Sequence, residues 1–154
     1  MNAYRIGQTK YARDIKGSGV DGRWNPAGQY VIYTGGSLAL SCLEKLAHTS
    51  GTSLYAGNFS VTIYDIPDKL SITEIMLPQL QKHSVEWYKV INYPITQGIG
   101  FDWLQDRETA VLKVPSAIIE LEYNYLLNPA HPDFNKIRIA DVRPFTFDTR
   151  LKAL

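Results

Sequence analysis

The chain has 154 residues, 45% of them hydrophobic and 20% charged, and its 16 Lys and Arg nearly balance 15 Asp and Glu, leaving a net charge of +1. That length suits one domain spanning residues 1–154 with its own core, and the composition excludes a disordered chain. The balanced charge argues against direct nucleic-acid or membrane binding, and Cys42, the single cysteine, excludes an internal disulfide and a cysteine-built metal site. No apolar run approaches membrane-spanning length and MNAYRIGQTKYARD lacks a signal-peptide segment, so a cytoplasmic bacterial protein is expected.

In chain order, KGSGVDGRWNPAG reads as an ordered, glycine-framed loop. Residues 30–34 (YVIYT) are aromatic and β-branched, which predicts a strand. A turn over Thr34, Gly35, Gly36 and Ser37 follows, its serine placed to cap a helix from Leu38 to about His48. Leu38, Ala39, Cys42, Leu43, Leu46 and Ala47 form the expected buried stripe, leaving Glu44 to face solvent or a cleft.

Asn58 to Ile66 alternates as a half-buried strand, with Phe59, Val61 and Ile63 on one side and Ser60, Thr62 and Tyr64 on the other. Residues 70–92 mix a short strand with helical pieces broken at Pro78, and a short helix is predicted from Thr96 to Gln105. Strands follow at Ala110–Val114 and Ile118–Tyr125, then one helical turn in HPDFNKI and a closing strand interrupted near Pro144. These elements predict a single α+β domain with a mostly antiparallel, split or curved sheet.

Arg23, Tyr33 and Glu44 come from one loop–strand–helix unit, Arg23 ten positions before Tyr33 and Tyr33 eleven before Glu44. A guanidinium, an aromatic face and a carboxylate delivered together suit a ligand with phosphates, a flat ring and a ribose. Arg23 could pair bidentately with pyrophosphate oxygens or could stack on Trp24 and tie down a loop carbonyl. Tyr33 could stack on a ring or sit in the core with its hydroxyl bonded at the edge, the commoner fate. For Glu44 the choice is between a ribose hydroxyl and solvent beside Lys45. Ser116, at a strand end, could reach a phosphate or could only satisfy backbone groups.

No GxSxG elbow surrounds Ser116, and Gly17, Gly19 and Gly22 match neither a P-loop nor a dinucleotide fingerprint. His48, His83 and His131 lack metal-ligand spacing, so no metal site is expected, and His131 is explained by capping the turn that follows it.

The Arg…Glu…Ser order, with RWN-x-x-G, VPSAI and NYLLNPAHPDF between YRIG at residues 4–7 and FTFDTRL at 145–151, resembles the RES-domain family. GIGFDWL departs from the family pattern by one extra residue. The resemblance implies a fold similar to the diphtheria-toxin-like ADP-ribosyltransferases and the toxin half of a type II toxin–antitoxin pair. It implies cleavage of the nicotinamide–ribose bond of NAD by phosphorolysis, with glycohydrolysis and protein ADP-ribosylation as alternatives of the same fold. A non-catalytic nucleotide- or protein-binding module is the rival from another class. Carried across, Arg23, Tyr33, Glu44 and Ser116 would be catalytic. Arg5, Arg23, Trp24, Asn25, Tyr33 and Ser116 would contact NAD, a substrate and not a prosthetic group, with inorganic phosphate as co-substrate. The implied partners are an Xre-type helix-turn-helix antitoxin and a second copy of the toxin.

Overall fold

The structure is a computed structural model and describes residues 1–153. Seven strands form one sheet: β1 (Asn2–Gln8), β2 (Ile32–Gly35), β3 (Phe59–Asp65), β4 (Ile72–Glu74), β5 (Val111–Pro115), β6 (Tyr123–Leu127) and β7 (Arg138–Phe145). Their order is β4-β5-β6-β2-β1-β3-β7, with β4 and β5 parallel and the named neighbours otherwise antiparallel. Among the described residues the α-helices are α1 (Leu38–His48), α2 (Gly51–Ala56), α3 (Leu77–His83) and α4 (Tyr93–Asp106). This is the α+β, mostly antiparallel architecture expected, and the sheet is split. Strand β1 runs beside β3 for its full length but meets β2 only where Tyr4 lies opposite Gly35.

Local chemistry explains most boundaries. Ser37 caps α1 by accepting the Leu40 amide at 3.1 Å, and Ser50 caps α2 by accepting from Ser53 at 3.2 Å. Three apolar clusters hold the sheet. One centres on Trp24, Trp87, Trp103, Leu112 and Leu126; a second, on Ile32, Tyr64, Val111 and Leu127. The third packs Leu46 and Leu54 of α1 and α2 onto Ile6, Phe59 and Val61. Helix α4 passes the Trp24 backbone so closely that a Cβ at Gly100 would lie 1.8 Å from the Trp24 carbonyl oxygen, so only glycine fits.

Several expected details shift. Strand β1 and helix α2 carry too few β-branched or periodic apolar residues to stand out in sequence. Strand β3 is buried on both faces, with Ser60, Thr62 and Tyr64 inside as well as Phe59 and Val61. Pro78 opens α3 instead of breaking it, since the first helical turn needs no amide donor there. Pro144 lies within β7 opposite Ser60, tolerated because β7 is an edge strand; the irregularity falls instead between Ile63 and Tyr64.

The expected strand Ile118–Tyr125 is displaced to β6, and Ile118, Ile119 and Leu121 are exposed in the turn before it. That turn is closed by Ser116 N–H donating to the Glu122 carbonyl at 2.8 Å and Glu122 N–H to Ile119 at 2.9 Å. The buried face of α1 is also rotated from the expected stripe: Leu40, Ser41 and Leu46 are buried, whereas Leu38, Ala39, Leu43 and Ala47 are exposed.

Candidate active site

Arg23 stands on a loop that is locked from every side. Gly22 N–H donates to the Asn25 carbonyl at 2.9 Å, closing a tight turn around Arg23 and Trp24. The Tyr33 hydroxyl accepts the Trp24 amide at 3.0 Å and donates to Asn25 Oδ1 at 2.6 Å. Asn25 Nδ2 in turn donates to the carbonyls of Val20 and Gln29. From α4, Thr96 Oγ1 donates to the Arg23 carbonyl at 2.6 Å and Gln97 Nε2 to that of Gly22 at 2.8 Å.

The guanidinium that this loop presents lies 4.8 Å from the Tyr93 ring centroid and 5.7 Å from that of Trp87. Its Nη1 is buried without a hydrogen-bond partner. Burial pulls the Arg23 guanidinium below its usual range, while Tyr93 and Glu44 pull it back. An unpartnered, desolvated guanidinium nitrogen is a strong site for an anion.

Glu44, on α1, is near enough for its charge to act on the Arg23 guanidinium. Its Oε1 accepts from Ser116 Oγ at 3.0 Å and from Asn124 Nδ2 at 2.7 Å. Its Oε2 lies 3.9 Å from His48 Nε2, one helical turn on, and the side chain keeps a quarter of its surface exposed. The carboxylate is therefore held through Oε1 by Ser116 and Asn124, with His48 near Oε2.

Ser116 is 1% exposed, and its hydroxyl oxygen also accepts the Ile118 and Ile119 amides at 3.0 and 3.1 Å. Its capacity is spent on the turn and on Glu44, so it orients the carboxylate and has no free lone pair for a phosphate. Trp24 and Asn25, expected as substrate contacts, are 2% and 1% exposed and serve as loop scaffold. Tyr33 is half-buried, its hydroxyl committed to that loop and pushed well above the ordinary tyrosine range by burial. Its phenol therefore stays neutral, and the ring can offer only its face.

Arg5 stands apart from this hydrogen-bond set. It pairs with Thr62 on β3, beside Tyr64 on the side of β1 opposite Tyr4 and Ile6. Sequence reading missed Asn124 and His48 as neighbours of Glu44. An asparagine in a run of strand residues gives no signal of its own, and the i, i+4 spacing of Glu44 and His48 was the only available cue. His131 does cap the turn after it, with Nδ1 accepting from Asp133 at 3.0 Å.

Set side by side, a cation with an unpartnered nitrogen, an aromatic pair and a braced carboxylate can bind an anionic group and steady positive charge near it. A profile of the RES domain matches residues 2–148. The chain is 35% identical to a Prs ADP-ribosylating toxin of Sphingobium sp. strain YBL2, covering 94% of this chain and 90% of that one. It is also 35% identical to Toxin Res of Yersinia enterocolitica, covering 99% and 100% respectively. Among solved structures, the Mycobacterium tuberculosis MbcT–MbcA toxin–antitoxin complex contains a chain that matches with a TM-score of 0.75 at 16% identity, over 94% of this chain and 84% of that one. By sequence over nearly its whole length, with the fold in agreement, the chain belongs to the RES-domain family.

Proposed function

We propose that this chain is the toxin of a toxin–antitoxin pair and that it breaks the bond between nicotinamide and ribose in NAD, passing ADP-ribose to inorganic phosphate. The observation that carries this reading is Glu44, a partly exposed carboxylate braced through Oε1 by Ser116 and Asn124. Nicotinamide in NAD is already a cationic leaving group. As its glycosidic nitrogen takes the bonding electron pair, positive charge grows on the anomeric carbon and ring oxygen, where a fixed carboxylate stabilises it. A phosphate oxygen then bonds to that carbon, giving neutral nicotinamide and ADP-ribose 1-phosphate. The Arg23 guanidinium would hold the pyrophosphate, and the Tyr33 and Tyr93 rings would flank the base.

The names of the relatives support a toxin, and the mycobacterial complex supports an antitoxin as partner. An Xre-type helix-turn-helix antitoxin acting on a toxin dimer in the cytoplasm is the assembly this reading carries. No helix among the described residues is long and apolar enough to cross a membrane. A second reading, transfer to a protein side chain, is favoured by the Sphingobium relative's name. A mere binding module would have no use for a braced carboxylate beside a ribose.

Purified protein incubated with NAD, with and without phosphate, tests this directly. ADP-ribose 1-phosphate formed only with phosphate supports phosphorolysis. Free ADP-ribose at equal rates in both would replace phosphate by water as acceptor, and intact NAD would overturn the catalytic reading.

A further inference from the structure

On β6, Asn124 lies opposite Gly35 of β2 and Val114 of β5. A Cβ at Gly35 would sit 2.5 Å from Ser41 Oγ, so the missing side chain is what lets α1 settle onto β2 there. Ser41 Oγ then donates to the Tyr4 carbonyl at 2.7 Å, anchoring the helix across the split. Glu44 follows Ser41 by three residues, about 4.5 Å along a helix, close to the spacing of about 4.8 Å between paired strands. The helix thus sets Ser41 over β2 and its carboxylate over Asn124 on the next strand.

Asn124 is a costly occupant of that position. The next inward residue on the same face is Leu126, fully buried in the tryptophan cluster. The Asn124 Oδ1 is buried with no partner, a cost that an apolar residue would not incur. Offsetting it is the 2.7 Å bond from Nδ2 to Glu44 Oε1, a charge-assisted contact. Ser116 supplies the second donor to that oxygen, but it is also bound to the Ile118 and Ile119 amides. Asn124 is the donor whose other polar atom has no structural task.

We propose that Asn124 is a positioning residue for Glu44, fixing the carboxylate through Oε1 so that Oε2 alone meets the substrate. This rests on the reading of Glu44 as the charge-stabilising group. Around that carboxylate, Arg23 comes from the loop before β2 and His48 from α1, while Ser116, just after β5, and Asn124 on β6 are uncharged. Lys113 and Tyr125 lie on the other face of the sheet by the pleat.

Asn124→Asp replaces the donor by a second carboxylate at hydrogen-bond distance from Glu44. Two carboxylates so placed share a proton, so the acid limb of the pH–rate profile should move up by about one pH unit or more. Asn124→Ala should lower kcat about tenfold, the loss of one hydrogen bond to a charged group, with KM for NAD within about twofold. Carboxyl-carbon NMR titration of Glu44 in Asn124→Asp should show the same upward movement without relying on turnover.

An unmoved acid limb and an unmoved Glu44 titration in Asn124→Asp overturn the inference. Should that variant fail to fold, wild-type kcat in a folded Asn124→Ala overturns it instead. Glu44→Gln assayed alongside keeps the two readings apart. If it is inactive while Asn124→Asp matches wild type, only the positioning role falls; if it turns over NAD normally, the catalytic reading of Glu44 falls.

Discussion

Ser116 gives its hydroxyl hydrogen to Glu44 Oε1 across 72 positions of sequence, and with the same oxygen it gathers the amides of Ile118 and Ile119. One buried oxygen therefore joins the carboxylate to the turn between β5 and β6. Ser37 reinforces the link at the other end of the helix, donating to Glu122 Oε2 at 2.9 Å. Helix α1 is thus tied to that hairpin at its cap and near its last turn. Ser116→Ala should leave two amides without a partner, costing about 1–3 kcal/mol in urea unfolding, and should lower kcat about tenfold. Ser116→Thr keeps the oxygen and should restore most of both. Wild-type kcat in Ser116→Ala would leave the serine with the turn alone.

Glu44→Gln separates catalysis from binding. If its charge matters only as the nicotinamide bond breaks, kcat should drop by about two to three orders of magnitude while NAD affinity changes little. Glutamine can still accept from Ser116 and Asn124 on its amide oxygen, so the fold should hold, with circular dichroism as control. Isothermal titration with NAD beside single-turnover kinetics checks the split.

Arg23 should behave differently. Phosphates carry charge in ground and transition states alike, so Arg23→Ala should raise KM for NAD together with any fall in kcat. Arg23→Lys should restore little, because an ammonium cannot reproduce a planar fork held between the Tyr93 and Trp87 rings. Initial rates across NAD concentrations for both variants decide it, and full rescue by lysine would reduce the role of Arg23 to a point charge.

The limits of helix α1 were legible because a cap and a period mark them, yet its inward face was not. Hydropathy selects Leu38, Leu43 and Ala47, but the helix turns Ser41 and Glu44 toward the strands because their hydrogen bonds are made there. A helix that serves a site breaks the apolar pattern at the positions where it functions. For the β5–β6 hairpin the reason is similar. Ile118, Ile119 and Leu121 look like strand residues, but Ser116 closes a turn over them that no residue preference announces. Arg23, Glu44 and Ser116 are named through the resemblance to the RES-domain family, since the chemistry of each residue taken singly favours a plainer role. That Trp24, Asn25 and Tyr33 hold the loop instead of offering polar atoms to a ligand depended on contacts from α4 and β2 that sequence alone does not display.

The hydroxyl of Tyr33 gives a test of that scaffold. Tyr33→Phe leaves the Trp24 amide and Asn25 Oδ1 without their partner, costing about 1–3 kcal/mol of stability near neutral pH. The Arg23 loop should loosen, so KM for NAD should rise more than kcat falls. Burial raises the folded-state pKa of Tyr33 above its ordinary value, so the unfolded chain loses that proton first as pH climbs. Its stabilising contribution is accordingly present below the ordinary tyrosine value of about 10 and is lost as pH rises beyond it. Phenylalanine has no proton to lose, so the stability gap between wild type and Tyr33→Phe should narrow above about pH 10. Tyr64, also raised by burial, is common to both proteins and cancels in the difference. Urea midpoints for the pair at neutral and alkaline pH measure it. A gap that stays constant across that range would mean the Tyr33 hydroxyl is not held as neutral donor and acceptor for the Arg23 loop.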